Sequence, residues 1–321
     1  MSEFNKRAAI GIDAGGTKIA AGLVTEAGTI VDEHTRPTPQ TNAADAVDAL
    51  TRAAERILES AEGYEVVGIG AGLPGLVDAD RGRFAYGPHF PVTDIPVAEQ
   101  LSERLGLPCE LENDATAAAW GERLHGAGER ADAMVFFTIG TGIGGGIVLD
   151  GRLMRGGHGY AGELGHMTVD HTQGFVCSCG HRGCWETVAS GTALGRLAKA
   201  LVAAHPGRYD EYVDEVGATG RLFDLAIDAG DELAREAFEG FADWVAIGMQ
   251  NLVQILDPMR FVIGGGVSAM GDTLLDPVRE RLRARISGGE HRPDVSVRIA
   301  TLGPRAGMVG AAALVTEPSP V

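Results

Sequence analysis

Lysine is almost missing from this chain: among 27 basic residues only Lys6, Lys18 and Lys199 are lysine, and the rest are arginine. No mechanism follows from the arginine bias itself. The shortage of positive charge does have a consequence, because 44 acidic residues leave a formal net charge of -17. A surface of that sign is repelled by phosphate backbones and anionic lipid heads, which argues against nucleic acid or a membrane as partner. Cysteine is scarce as well. There are four, three of them crowded between Cys177 and Cys184, which is not the pattern of a secreted disulfide framework. The first residues, MSEFNKRAAIGIDAGG, hold no long apolar segment of the secretory type. The longest uncharged stretch, Ala133 to Leu149, contains five glycines and two threonines and makes a poor membrane span. A soluble, cytoplasmic protein is expected. No GxxxxGK[ST] element occurs, so the P-loop class is excluded at the level of motif.

What is present is ordinary in bulk and unusual in one residue. With 45% apolar and 22% charged residues, the 321-residue chain has the composition of a folded soluble protein of about two domains. Its 47 glycines are about twice the typical share of ~7%. Neither short-period repeats nor low-complexity tracts are evident.

The chain opens on β-rich segments, Ala8 to Ile12, Ile19 to Thr25 and Thr29 to Glu33, separated by turns at Ala14-Gly15-Gly16 and Glu26-Ala27-Gly28. Asn42 to Ala61 places Ala46, Leu50, Ala53, Ala54, Ile57 and Leu58 on one helical stripe. A buried strand over Val66 to Gly70, a turn at Leu73-Pro74-Gly75, a helix over Val97 to Leu105 and a strand over Cys109 to Leu111 follow. Asn113-Asp114 then supplies capping chemistry for a helix to His125. A second strand system starts at Ala133, with Met134 to Ile139 and Gly145 to Leu149 around a glycine loop and a hairpin signal at Asp150-Gly151. Asp231 to Leu256 reads as a helix with Leu233, Phe238, Phe241, Val245, Asn251, Leu252 and Ile255 at helical spacing, closed by Asp257-Pro258. Phe261 to Ile263 is a strand, Thr273 to Ile286 a helix, and Gly307 to Val315 a final helix of small residues. Hairpins followed by helices thus occur twice, which predicts two similar α/β halves crossed by the helix from Asn113.

Three glycine loops are candidates for chemistry. In Asp13-Ala14-Gly15-Gly16-Thr17-Lys18 the glycines let backbone N–H groups approach phosphate oxygens, Thr17 and Lys18 add donors, and Asp13 suits a magnesium-bound water. The alternative is a tight hairpin needing positive φ at glycine. The second loop runs from Thr138 to Gly146 and includes Gly140, Thr141 and Gly142. Its GxGxxG match runs into a strand rather than opening a helix, so it is not a dinucleotide fingerprint. The third, Gly264-Gly265-Gly266-Val267-Ser268, lies between strand and helix, where a flat backbone suits a nucleobase or ribose and equally suits helix–sheet packing.

His166, Cys177, Cys179 and Cys184 form H-x10-C-x-C-x4-C. Three thiolates and an imidazole close a tetrahedral zinc shell with no open position, which is a structural site. Cys109 stands apart and reads as a small buried hydrophobe. Glu163 and Glu186 flank the cluster. Two clamped carboxylates suit the neighbouring hydroxyls of a sugar, and His166 can ligate with one nitrogen and donate from the other. Solvated loop glutamates are the alternative.

In this order Asp13–Lys18, Leu111-Glu112-Asn113-Asp114-Ala115, Thr138–Gly146, Gly162-Glu163-Leu164-Gly165-His166, the Cys177–Glu186 segment and Gly264–Ser268 resemble the ROK family of sugar kinases and repressors, its bacterial glucokinases most of all. The likeness runs from Ile10 to about Ala313. It implies a two-lobed actin/hexokinase-like (ribonuclease H-like) α/β fold with a central cleft. One lobe would span 1–115, completed by the C-terminal helix 306–321, and the other 116–305, with a zinc-bound loop over 166–186. It further implies that Asp13, Gly15, Gly16, Thr17, Lys18, Thr138, Gly140, Thr141 and Gly142 bracket ATP phosphates carried with Mg²⁺, and that Gly265 and Gly266 lie near the adenosine. Asn113, Asp114, Glu163, His166 and Glu186 match sugar-binding positions, and Asp114 matches the catalytic base. Glucose is the expected hexose, with fructose, mannose and N-acetylhexosamines as alternatives that the geometry around Pro88–Pro96 and Glu163 would decide. ATP is expected over polyphosphate, and a homodimer or tetramer is implied. Repressors of the family carry an N-terminal helix-turn-helix, and with only about seven residues before the first strand none is expected here. A non-catalytic sugar-binding regulator is the remaining alternative.

Overall fold

The computed structural model describes residues 6–39, 42–87, 93–172 and 174–319. Strands β1 (Arg7–Ala14), β2 (Lys18–Thr25) and β3 (Ile30–Pro37) form an antiparallel meander, followed by α1 (Ala43–Leu58) and β4 (Glu65–Leu73). Three short strands, β5 (Leu76–Asp78), β6 (Arg83–Tyr86) and β7 (Thr93–Ile95), make a small sheet of their own. Then come α2 (Val97–Leu105), β8 (Cys109–Asn113) and α3 (Asp114–His125). The first sheet has the order β3-β2-β1-β4-β8, with β1, β4 and β8 parallel. Its register aligns Asp13 with Gly72, and Gly72 with Glu112, so the acidic residues of two strands reach the same carboxyl edge. That edge is where open α/β sheets place their ligands.

Alternation along β1 explains the layers. Ala8, Ile10, Ile12 and Ala14 join a core with Leu50 and Ile57 of α1, while Ala9 packs with Val309 and Ala312 on the opposite face. Those two residues belong to α10 (Ala306–Thr316), which also lies against α3. The approach is close enough that a Cβ at Gly70 would sit 1.7 Å from the Ala311 carbonyl oxygen, and one at Gly310 would sit 1.7 Å from that of Ala117. The small residues of the last helix are therefore a packing requirement.

β9 (Met134–Thr138), β10 (Gly145–Leu149) and β11 (Arg152–Leu153) are followed by α4 (Glu186–Ala189), α5 (Gly191–Ala204), α6 (Asp210–Val216), α7 (Arg221–Asp228) and α8 (Glu232–Leu256). β12 (Arg260–Gly264), α9 (Asp272–Arg285) and β13 (Ser296–Ile299) precede α10. The second sheet has the order β11-β10-β9-β12-β13, and β12 runs parallel to β13. α9 packs on α8, where Arg285 donates twice to Asp243 at 2.6 Å.

By contacts the chain groups into two units, 1–136 with 146–162 and 300–321, and 137–145 with 163–299. The first takes in α3, whereas the lobes expected from the sequence divide after residue 115. The physical reason is the tight packing of α3 on α10. The apolar stripe of α8 is also corrected: Ile255 is 72% exposed, and Val253 continues the buried row of Val245, Met249 and Leu252. The small sheet, α5 to α7 and β13 have no counterpart in the sequence reading. Among the described residues no helix is long and apolar enough to cross a membrane.

Candidate active site

Asn113 ends β8 in extended conformation and caps α3: its Oδ1 accepts from the N–H groups of Ala115 at 2.9 Å and Thr116 at 3.0 Å. Its Nδ2 donates to the Gly75 carbonyl at 3.1 Å, which among the described residues leaves one amide proton for a ligand. Asp114 is the first residue of α3, and its Oδ1 accepts from Ala115 N–H at 2.8 Å. Asp13 ends the core of β1 nearby. Burial, and then the charge of Asp114, push its carboxyl up to about 7, with Lys18 acting in the opposite sense. Gly307 gives Asp13 its room, since a Cβ there would lie 2.6 Å from the carboxyl carbon.

The loop after Asp13 is a tight turn in which Gly15 N–H donates to the Lys18 carbonyl at 2.8 Å. Thr17 and Lys18 are exposed. Neither Gly15 nor Gly16 has positive φ, and a Cβ on Gly15 would meet nothing closer than 3.5 Å. The hairpin alternative, which needs glycine for its backbone, therefore does not account for these glycines. Gly265 is different, with φ of 82° and a Cβ that would lie 2.6 Å from Ile139, so fold geometry alone demands it.

The 138–145 loop is held on several sides. Thr138 Oγ1 accepts from Gly144 N–H at 3.2 Å, Ile139 N–H donates to Gly264 at 2.9 Å, and Ile143 N–H donates to Glu186 Oε2 at 3.3 Å. A Cβ at Gly165 would lie 2.3 Å from the Ile143 carbonyl oxygen. The metal-spaced motif and the second glycine loop are thus in contact.

His166, Cys177, Cys179 and Cys184 bring one ligand atom each to within 4.8 Å of one another. Cys179 and Cys184 sulfurs are 3.6 Å apart, and Cys177 Sγ is 3.5 Å from His166 Nδ1. Tetrahedral zinc with bonds of about 2.3 Å to sulfur and 2.0 Å to nitrogen has edges of about 3.8 and 3.5 Å, so these two spacings match a zinc shell. All four cysteines are free thiols. The other ring nitrogen of His166, Nε2, is 3.7 Å from Glu163 Oε2. Burial raises the Glu163 carboxyl, His166 lowers it and Glu186 raises it further. Glu186 Oε1 lies 3.0 Å from Cys177 Sγ.

The sequence reading missed Arg155, whose Nε meets the buried Glu112 at 2.6 Å, and the Gly191-Thr192 step at the start of α5. Glu112 was in view only as part of the Asn113-Asp114 motif, and no spacing rule marks an arginine 43 residues on as its partner.

Residues 9–318 match the profile of the ROK family. The chain belongs to that family. It is 40% identical over 317 residues to a glucokinase of Streptomyces coelicolor, covering 97% of this chain and 98% of that one. A crystal structure of a ROK family glucokinase from Streptomyces griseus in complex with glucose and AMPPNP is similar at a TM-score of 0.84 and 40% identity, over 96% of this chain and 99% of that one. A xylose repressor of Bacillus subtilis is 30% identical, over 89% of this chain and 72% of the repressor. The fold is accordingly the actin-like sugar-kinase fold of the ROK glucokinases.

Proposed function

We propose that this ROK protein is an ATP-dependent glucokinase that transfers the γ-phosphoryl group of ATP to the 6-hydroxyl of glucose. It is a sugar kinase acting in the cytoplasm. The observation that carries this reading is the likeness, over nearly the full length of both chains, to a glucokinase whose crystal structure holds glucose and a nucleotide analogue.

Asp114 serves as general base for the sugar hydroxyl. Its place at the first turn of α3, with Oδ1 accepting from Ala115 N–H, fixes the position of its carboxyl group. Asn113, with one free amide proton, reads a ring hydroxyl beside it. Glu163 and Glu186 accept from further hydroxyls, and His166 donates from Nε2 once Nδ1 is given to a metal. Phosphoryl transfer asks the protein chiefly for alignment and charge stabilisation. Gly15, Gly16, Thr17, Lys18 and the loop of Thr138, Gly140, Thr141 and Gly142 bracket the phosphates, and Gly265 and Gly266 lie near the adenosine.

Asp13, raised in pKa between burial and Asp114, is the side chain suited to hold Mg²⁺ through its waters, and the cation brought with ATP neutralises phosphate charge. The Cys/His cluster would hold zinc as a closed structural site that orders Glu163, His166 and Glu186. Sugar choice rests on the 88–96 segment and Glu163, and residues 88–92 lie outside the described ones.

Resemblance to a xylose repressor favours a sugar-binding regulator as the second reading. A coupled ADP-release assay over a hexose panel, with ATP and polyphosphate as donors, separates the two. Turnover with glucose and ATP is expected. Turnover with no hexose would favour the regulator, and a different best hexose or donor would reassign the substrate.

A further inference from the structure

The carbonyls of the second glycine loop are gripped from one helix end. Gly191 N–H donates to the Gly140 carbonyl at 2.7 Å, and Thr192 Oγ1 donates to the Thr141 carbonyl at 2.7 Å. These are the first two residues of α5, whose cap Ser190 is buried and accepts from Ala193 N–H at 3.2 Å. Only glycine permits the first contact, because a Cβ at 191 would lie 2.8 Å from the Gly140 oxygen.

A trans peptide is planar and its C=O and following N–H point opposite ways. Fixing the Gly140 carbonyl therefore fixes the N–H of Thr141 on the far side, and fixing the Thr141 carbonyl does the same for Gly142 N–H. Neither N–H has an acceptor among the described residues. The helix end also polarises the carbonyl it holds, which strengthens the next N–H as a donor.

We propose that Thr192 is a positioning residue for the phosphate donor, acting with Gly191 to aim the Thr141 and Gly142 N–H groups at phosphate oxygens. This rests on the reading of the 138–146 loop as phosphate-binding. Thr192 itself touches no reacting atom in this scheme. Its side chain is exposed, so its replacement leaves the core intact.

The test compares Thr192→Val, which keeps the shape and loses the donor, with Thr192→Ser, which keeps the donor. Calorimetric Kd values for Mg²⁺·AMPPNP without sugar, and for glucose without nucleotide, are measured on the full chain. The expected result is about ten-fold weaker AMPPNP binding in Thr192→Val, the worth of one hydrogen bond, with Thr192→Ser within two-fold of wild type and glucose Kd unchanged in both. Equal AMPPNP binding in wild type and Thr192→Val overturns the proposal, as does an equal loss of glucose affinity, the mark of a merely structural role. Wild-type protein that binds glucose but no AMPPNP would instead remove the donor-loop reading, and this inference with it.

Discussion

Arg155 donates from Nε to Oε2 of Glu112 at 2.6 Å, and the glutamate is 1% exposed. The other oxygen of Glu112 accepts from Asn113 N–H at 3.0 Å, so the pair stands directly behind the residue that caps α3 and precedes the proposed base. Burial raises the Glu112 carboxyl, and Arg155 opposes that by charge and hydrogen bond. Removing one partner of such a pair leaves the other desolvated and alone, which costs more than the pair ever contributed. Arg155→Ala is expected to lower unfolding stability by about 3 kcal/mol in urea titrations. Glu112→Gln, which retains an acceptor for Asn113, is expected to cost less. A loss under 1 kcal/mol in Arg155→Ala would show that solvent reaches Glu112.

Asp114→Ala is the direct test of the base. Removing a positioned proton acceptor is expected to reduce kcat by a factor of about 10³ or more, while glucose binding is retained. Turnover in the coupled assay and glucose titration by calorimetry check the two halves. Full activity in the variant would sink the assignment.

Local chemistry made much of this legible. Asn113 reads as a cap because its amide oxygen can meet two helix N–H groups, and both bonds are formed. The H-x10-C-x-C-x4-C spacing is informative because thiolates and imidazole have few other reasons to converge. Arg155 was invisible for the opposite reason: an ion pair between a strand and a distant loop obeys no period. The same holds for Thr192, whose role depends on where the α5 end meets a loop 51 residues earlier. β5 to β7 are three or four residues each, too short for alternation to register, and Ile255 satisfies helical spacing by standing three residues after the buried Leu252, yet it is exposed near the helix end.

Asp13 carries a pH dependence whose sign can be worked out. Its carboxyl rises from an ordinary 3.8 to about 7 in the folded chain, so the folded state binds the proton more tightly than the unfolded one. Stability from this group is complete below pH 3.8 and is lost as pH rises through about 7. Asp13→Asn removes that loss. In Mg²⁺-free buffer its melting temperature is expected to exceed the wild type by about 3 °C or more at pH 8 and to match it near pH 4. The variant should at the same time lose most turnover. A constant difference across the pH range would mean that Asp13 titrates normally.

Cys179→Ser tests what the metal cluster supports. Sulfur donors closing a tetrahedral site are not replaced by a hydroxyl, so bound zinc is expected to fall to background by elemental analysis. Glucose affinity should fall with it, because His166 loses the partner that orients its ring and Glu163 and Glu186 lose their frame. Nucleotide affinity should hold. α4 is secured independently by Trp185, which is fully buried, donates from Nε1 to the Trp244 carbonyl at 2.9 Å, and seats against Gly248, where a Cβ would lie 2.0 Å from the indole. That anchor keeps the start of α5, and with it the Gly140 and Thr141 carbonyls, in place without metal. Stoichiometric zinc in Cys179→Ser would contradict the ligand set. Loss of AMPPNP binding alongside the metal would show that the Trp185 anchor is not sufficient to hold the loop.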